Sequence, residues 1–144
     1  MNKNRTADLH DAKVDVKVVL CGLWISMLFV FAYVDIFGFW RADVINGALV
    51  GKVSGPGFEI NQALLVFFTI YILVPSLMVI VSLLAPARIN RTINLVVSLI
   101  YLATVVVSIV GETWIYFILG SVVEGMLLLA IARVAWTWPG LPVQ

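Results

Sequence analysis

Polar residues recur at helical spacing through an otherwise apolar stretch between residues 90 and 112. They form what we call the polar stripe: Asn90, Asn94, Ser98, Tyr101, Thr104, Ser108 and Glu112. Residues three or four apart share one face of an α-helix. In lipid, a hydroxyl or amide turns toward protein because acyl chains offer no hydrogen-bond partners. The pattern therefore predicts a membrane helix whose polar stripe faces the inside of a bundle.

The apolar runs predict four transmembrane helices, at about residues 18–39, 59–84, 91–111 and 114–132. At about 1.5 Å per residue, each can cross roughly 30 Å of hydrocarbon. The turn at 111–113 is so short that the last two helices must be antiparallel neighbours. The predicted fold class is all-α, a four-helix transmembrane bundle over residues 18–138, with tails at 1–17 and 139–144.

Three local features refine this picture. The run Val18–Val34 is long for a signal-peptide core and no small-residue cleavage site follows it, so we expect a retained first helix. The piece Asp43–Val50 fits either a short interfacial helix or a plain loop. Pro75 removes one backbone hydrogen bond inside the second long helix and should bend it. Thr69 and Ser76 are available to satisfy the freed carbonyl.

Basic residues are concentrated on one side of the predicted topology. That side carries Lys3, Arg5, Lys13, Lys17, Arg88, Arg91 and Arg133, whereas the other carries Arg41 and Lys52. The positive-inside rule then places both termini in the cytoplasm. We predict a multi-pass protein of the cell membrane.

Composition excludes several classes of function. The chain is 62% hydrophobic and only 12% charged, whereas average soluble domains carry about 25% charged residues. The net charge is +1 and no basic tract appears, so we expect no nucleic-acid partner. Cys21 is the single cysteine and His10 the single histidine, too few ligands for a His/Cys metal site. We expect no metal or cofactor, and the lipid bilayer as the main partner.

Glu124, Tyr101 and Asp35 are the candidates for catalytic chemistry. Glu124 lies ten residues from Trp114, hence roughly 15 Å deep, near the midplane. Tyr101 lies ten residues from Arg91 on the neighbouring helix and reaches the same depth. An ionised carboxylate is costly there, so Glu124 should be protonated, paired or facing a water-filled cavity. The structural alternative is a protonated Glu124 that only hydrogen-bonds across helices.

A second group of polar residues is predicted to bind a ligand: Asn94, Ser98, Ser108, Glu112 and Arg91. Glu112 belongs with Asp35 and Glu59 to an outer carboxylate rim, which either binds a cation or is simply solvated. Arg91 fits an interfacial anchor or a lipid-phosphate contact. The amide of Asn94 either braces a neighbouring helix or holds a ligand carbonyl.

Several segments resemble a family of small, uncharacterised bacterial four-helix membrane proteins that is loosely DoxX-like. The segments are LWISMLFVFAYVDIF, VPSLMVIVSLLAPARINRTIN and a last helix that contains a glutamate and ends in AWTW. The resemblance covers about residues 18–138, with landmarks at Asp35, Asn90, Arg91, Asn94 and Glu124. It implies the four-helix fold, and it brings no established activity.

The leading functional hypothesis is a polar pocket inside the bundle, open to the outer leaflet, that binds a lipophilic small molecule. A group of Glu124, Asp35 and Tyr101 would do acid–base work there, in a hydrolysis, isomerisation or cyclisation. One alternative is a proton-coupled small transporter or channel, acting as a homodimer. Another is a non-catalytic accessory subunit of a membrane complex.

Overall fold

The structure, a computed structural model, describes residues 13–138. The described part contains five α-helices, and they are α1 Val16–Gly38, α2 Ala42–Leu49, α3 Gln62–Leu84, α4 Ala87–Ile109 and α5 Ile115–Trp136. All except α2 have 22 or 23 residues and are apolar enough to cross a membrane. The predicted all-α class and the four membrane-spanning helices are confirmed, and the protein is a multi-pass membrane protein. Of the predicted tails, residues 1–12 and 139–144 lie outside the described part.

The segment after α1, for which the sequence leaves two alternatives, forms the short helix α2. None of its residues is buried, so it lies on the surface of the bundle. A turn follows in which Gly55 and Gly57 take φ angles of 87° and 70°. Side chains other than hydrogen rarely allow this backbone conformation, so the two glycines let the chain reverse at Pro56. The reversal brings Lys52 and Glu59 into an isolated antiparallel bridge.

The long helices are arranged in the spatial order α3–α1–α5–α4. Helix α1 packs against both α3 and α5, and α5 packs most extensively against α4, whereas α3 and α4 touch at few points. The predicted antiparallel pairing of the last two long helices is confirmed. The bundle is therefore closed on three sides and loosely joined between α3 and α4.

Helices α1 and α5 approach each other closely at Gly120. Gly120 lies directly against the side chain of Val34, and a Cβ added at Gly120 would collide with the Val34 Cγ2 methyl. A glycine in a membrane helix allows backbones to approach closely. Gly120 therefore sets the distance between α1 and α5 on the side of the bundle that carries Glu124.

We call the end of the bundle that contains the turn between α3 and α4 the turn end, and the opposite end the loop end. At the turn end, Lys17 Nζ donates to the carbonyl oxygens of Leu83 and Ala85 at 3.2 and 2.9 Å. The start of α1 thus lies beside the end of α3. The loop end contains α2 and the turn between α4 and α5. Which end faces the cytoplasm stays a prediction from the positions of Lys and Arg.

Four buried polar side chains, which we call the asparagine cluster, hold the turn end together: Trp24, Ser82, Asn90 and Asn94. The Asn94 Oδ1 atom accepts from Trp24 Nε1 at 2.6 Å and from Ser82 Oγ at 3.2 Å. Its amide donates to the Oδ1 and carbonyl oxygens of Asn90, which in turn donates to the Ser82 carbonyl at 2.6 Å. Because these groups come from α1, α3 and α4, the cluster ties three helices together inside an apolar core.

Pro75 leaves the carbonyl oxygen of Tyr71 without its usual partner, since proline has no N–H to donate. The sequence pointed to Thr69 and Ser76 as possible substitutes, but they bond to the carbonyls of Leu65 and Ile72 in their own helix. The Tyr101 hydroxyl of α4 donates to the Tyr71 carbonyl instead, at 2.5 Å. The helix defect at Pro75 is thus repaired by a neighbouring helix, and this bond joins α3 to α4.

Replacing Tyr101 by phenylalanine should destabilise the protein because the Tyr71 carbonyl then has no donor. We expect a loss of roughly 0.6–1.7 kcal/mol, the range measured for hydrogen bonds between membrane helices. In a Pro75→Ala background the restored N–H takes over this carbonyl, so the same Tyr101→Phe change should cost much less. Thermal unfolding of the four proteins in detergent measures this coupling, and strictly additive effects would contradict the repair.

Candidate functional site

A large cavity lies at the loop end of the bundle, on the loosely joined side between α3 and α4. Its volume is about 730 Å³, within the range of about 300–1,000 Å³ that is typical of small-molecule sites. All four long helices and the connection before α3 contribute to its wall. Val107 of α4 and Phe67 of α3 line the cavity while 70% and 60% exposed, so it opens toward the outside of the bundle there.

Glu124 lies on the wall of this cavity and is only 4% exposed. It belongs to the buried face of α5, where Gly120, Ser121, Leu128 and Ile131 recur at helical spacing. Its Oε1 atom is buried and has no hydrogen-bond partner in the described part of the chain. A buried polar atom without a partner is rare in proteins and calls for a functional explanation. The predicted packing role, a hydrogen bond from Glu124 across helices, does not account for this atom.

Asp35 lines the same cavity from α1. It follows Val34, whose side chain is held against Gly120 of α5. Unlike Glu124, Asp35 is exposed, and it lies one helical turn before the end of α1. The two carboxylates therefore line the cavity from different helices, the exposed Asp35 near the end of α1 and the buried Glu124 deeper in the bundle.

The rest of the wall is mainly apolar, with aromatic and aliphatic side chains in equal number and a few hydroxyls. The aromatic residues are Phe31, Phe58, Phe67, Phe68, Tyr71 and Phe117, and the hydroxyl-bearing ones besides Tyr71 are Thr104, Ser108 and Ser121. The hydroxyls of Thr104 and Tyr71 are 2.6 Å apart. Because Thr104 also donates to the Tyr101 carbonyl, its own proton is used and Tyr71 is the donor of this pair. The described residues place no Lys or Arg on the wall.

The outer rim of the loop end is an ion-pair network centred on Arg41. Arg41 bonds to Asp43 at 2.7 Å and to Glu112 at 3.1 Å, and it lies 4.8 Å from the ring centre of Trp114. The hydrogen bond from Arg41 lowers the pKa of Asp43 to about 2. Burial alone raises the pKa of Glu112, but bonds from the Trp114 and Thr113 amides and from Arg41 outweigh it, so that the pKa is lowered. The rim is thus an ion-pair network in which one guanidinium is shared by two carboxylates.

The residues predicted for the site divide into two groups. Glu124, Asp35 and Ser108 come together on the cavity wall. Outside it lie Glu112, in the rim, and Asn94, Ser98, Tyr101 and Arg91, whose polar side-chain atoms bond within the protein. Arg91 donates to the Trp136 carbonyl at the turn end, far along α4 from Ser108. The polar stripe is therefore a packing face toward the turn end and a cavity wall toward the loop end.

Several wall residues were not predicted as site residues, although two of them carried a signal in the sequence. Ser121 lies three residues before Glu124 and so shares its helix face. Tyr71 lies four residues before Pro75, the position of the carbonyl that proline leaves free. Phe67 and Phe68 carried no signal, because α3 is apolar on every side. Such a helix does not reveal from sequence which face meets protein.

Residues 8–140 of the chain match the family model of DUF6326, described as a family of unknown function. The expected resemblance to a family without an established activity is confirmed by this match, while the relation to DoxX-like proteins stays a prediction. No curated protein matches the chain. No solved structure matches it either.

Proposed function

Since the chain belongs to the DUF6326 family of unknown function, we propose a function from its own residues: it binds a lipophilic small molecule in the loop-end cavity. The observation that carries this proposal is the unpartnered Oε1 atom of Glu124 on the wall of a cavity of about 730 Å³. Apolar walls with a few convergent polar groups are typical of small-molecule sites. A ligand group that approaches Glu124 gives this carboxyl group a partner that the described residues do not provide.

The open side of the cavity supports a ligand that arrives through the bilayer. Phe67 and Val107 stand on either side of the gap between α3 and α4 and are both largely exposed. Both helices are long and apolar enough to span a membrane, so this gap faces acyl chains. A lipophilic molecule dissolved in the bilayer reaches the cavity without crossing water.

The predicted acid–base group is reduced in this proposal to Glu124 and Asp35. The Tyr101 hydroxyl donates a hydrogen bond to the Tyr71 carbonyl. Its use in a reaction would break this bond, which compensates for the N–H that Pro75 lacks. We therefore assign Tyr101 a positioning role: it fixes α3 against α4 on the inner side of the cavity. Glu124 and Asp35 are the side chains that we expect to contact the polar group of the ligand.

A tryptophan at position 107 should block the cavity, because Val107 lines it. Position 106 gives the matched control, since Val106 is on the same helix, is 58% exposed and is not on the cavity wall. We expect Val107→Trp to weaken binding of the neutral fluorophore N-phenyl-1-naphthylamine by about tenfold, which is about 1.4 kcal/mol. Val106→Trp should leave it unchanged.

The measurement is fluorescence titration of purified protein in detergent, with protein-free micelles subtracted. Melting temperatures of both tryptophan variants show whether each still folds. Equal binding by the wild type and the two variants would mean that the fluorophore does not enter the cavity, and would overturn the proposed function.

A further inference from the structure

We propose that the ligand of the loop-end cavity is a lipophilic organic cation, an amine or a quaternary onium ion, with Glu124 as its counter-ion. This inference rests on the proposed binding function and names the chemical class of the ligand. It follows from the charge, the unpartnered atom and the aromatic content of the wall, taken together.

The charge of the wall has one sign. Two carboxylic acids, Asp35 and Glu124, line the cavity, and no basic side chain lines it within residues 13–138. Arg41 lies at the same end of the bundle but is engaged by Asp43, Glu112 and the Trp114 ring. A carboxylate in a low-dielectric site requires a partner to offset its lost hydration. The residues that the structure describes do not supply that partner, so a cationic ligand is the chemistry that completes the site.

Glu124 determines where the cationic group of the ligand binds. It is 4% exposed and its Oε1 atom has no partner within the described chain. Asp35 is exposed near the loop end of α1, where partial hydration weakens its attraction for a cation. The cationic group should therefore sit deep, beside Glu124, while Asp35 favours the approach of positive charge over negative.

The aromatic wall fits the same ligand. The rings of Phe31 on α1 and Tyr71 on α3 are tilted by 45° to each other with centres 6.0 Å apart, and both residues line the cavity with Glu124. Aromatic faces attract cations, and more strongly when water is excluded. The same rings offer apolar surface to hydrocarbon groups attached to the cation. A small hydrated cation gains little from such a wall, which favours a bulky organic ion.

Tetraphenylphosphonium and tetraphenylborate test the charge directly, because they have nearly the same shape and opposite charge. We expect wild-type protein in detergent to bind the phosphonium at least about thirtyfold more tightly than the borate, measured by calorimetric titration against protein-free micelles. Glu124→Gln keeps the shape of the side chain and removes its charge, and it should weaken phosphonium binding by about thirtyfold. Asp35→Asn should weaken it by about threefold.

Glu59→Gln is the matched control, since Glu59 is an exposed carboxylate at the same end that does not line the cavity. It should bind the phosphonium like the wild type. Equal affinity for the two ions, or undiminished phosphonium binding by a folded Glu124→Gln protein, would overturn the cation assignment. If Glu124→Gln fails to fold, the affinities of the wild type and of Asp35→Asn for the two ions still test the cation assignment.

The two proposals fail in different ways. If N-phenyl-1-naphthylamine binds in a manner that Val107→Trp blocks, but the phosphonium does not bind, the cation assignment is wrong and the cavity remains a site for neutral lipophiles. If neither compound binds, the proposed function falls and the cation assignment falls with it.

Discussion

Replacing Asn94 by leucine should prevent the protein from reaching a stable native fold. Leucine has the same branching at Cγ as asparagine, but it has no acceptor for Trp24 Nε1 and Ser82 Oγ, which both bond to Asn94 Oδ1. Leaving a buried donor unsatisfied costs about 1–3 kcal/mol. Two such donors, together with the lost bonds to Asn90, place the expected loss at roughly 3–5 kcal/mol, a large part of the stability of most proteins.

Thr92 gives the control on the same helix. Its hydroxyl is exposed and bonds only to the Arg88 carbonyl one turn earlier. Thr92→Val should therefore change stability by no more than about 0.5 kcal/mol. Thermal unfolding and size-exclusion profiles in detergent compare the two variants. An Asn94→Leu protein that melts like Thr92→Val would show that the asparagine cluster contributes little to the fold.

The second large effect is expected at Gly120. A Cβ there collides with the Val34 Cγ2 methyl, and a β-branched side chain has few other rotamers into which it can move. Gly120→Ala should thus push α1 away from α5 and destabilise the bundle by about 1–3 kcal/mol, the usual cost of overpacking. Because Val34 lies beside Asp35, the displacement should also weaken binding in the cavity.

Gly125→Ala is the matched control one turn further along α5. A Cβ at Gly125 meets Leu102 Cδ1 at 3.6 Å, an ordinary contact. It should be neutral or stabilising, since alanine has a helix propensity about 1 kcal/mol better than glycine. Shortening Val34 to alanine in the Gly120→Ala protein should restore most of the lost stability. Equal melting temperatures for Gly120→Ala and Gly125→Ala would contradict the close approach of the two helices.

The parts of the fold that the sequence predicted are those encoded by local pattern. Helix lengths follow from apolar runs, the pairing of α4 with α5 from a turn too short for anything else, and the inward position of Asn90, Asn94 and Ser98 from helical spacing. The order of the helices around the bundle is different in kind. It depends on which helices α3 packs against. Because α3 is apolar on all sides, its sequence has no periodic pattern that indicates the packing face.

The candidate site likewise has features that the sequence predicts and features that it does not. Depth along a helix is readable from residue counts, which placed Glu124 near the midplane and Asp35 one turn inside the end of its helix. Both residues line the cavity in the structure. The division of the polar stripe was not readable. The polar atoms of Tyr101 and Asn94 form hydrogen bonds to α1, α3 and their own helix. Ser108 lies on the cavity wall, because α3 and α4 are loosely joined at that level. Partners on other helices decide which polar groups remain available.

The pairing of α1 with α5 has a consequence for how the chain is made. These are the first and last helices of the bundle, and the ribosome adds residues at about 5–20 per second. Val34 consequently waits roughly 5–20 s in the translocon or in lipid before Gly120 is synthesised. Helices α1 and α3 can meet in that interval, but the groove that receives Gly120 stays uncovered until α5 has been made. A lipid that occupies this groove meanwhile has to leave before Glu124 reaches its place, so the bundle closes only once α5 has entered it.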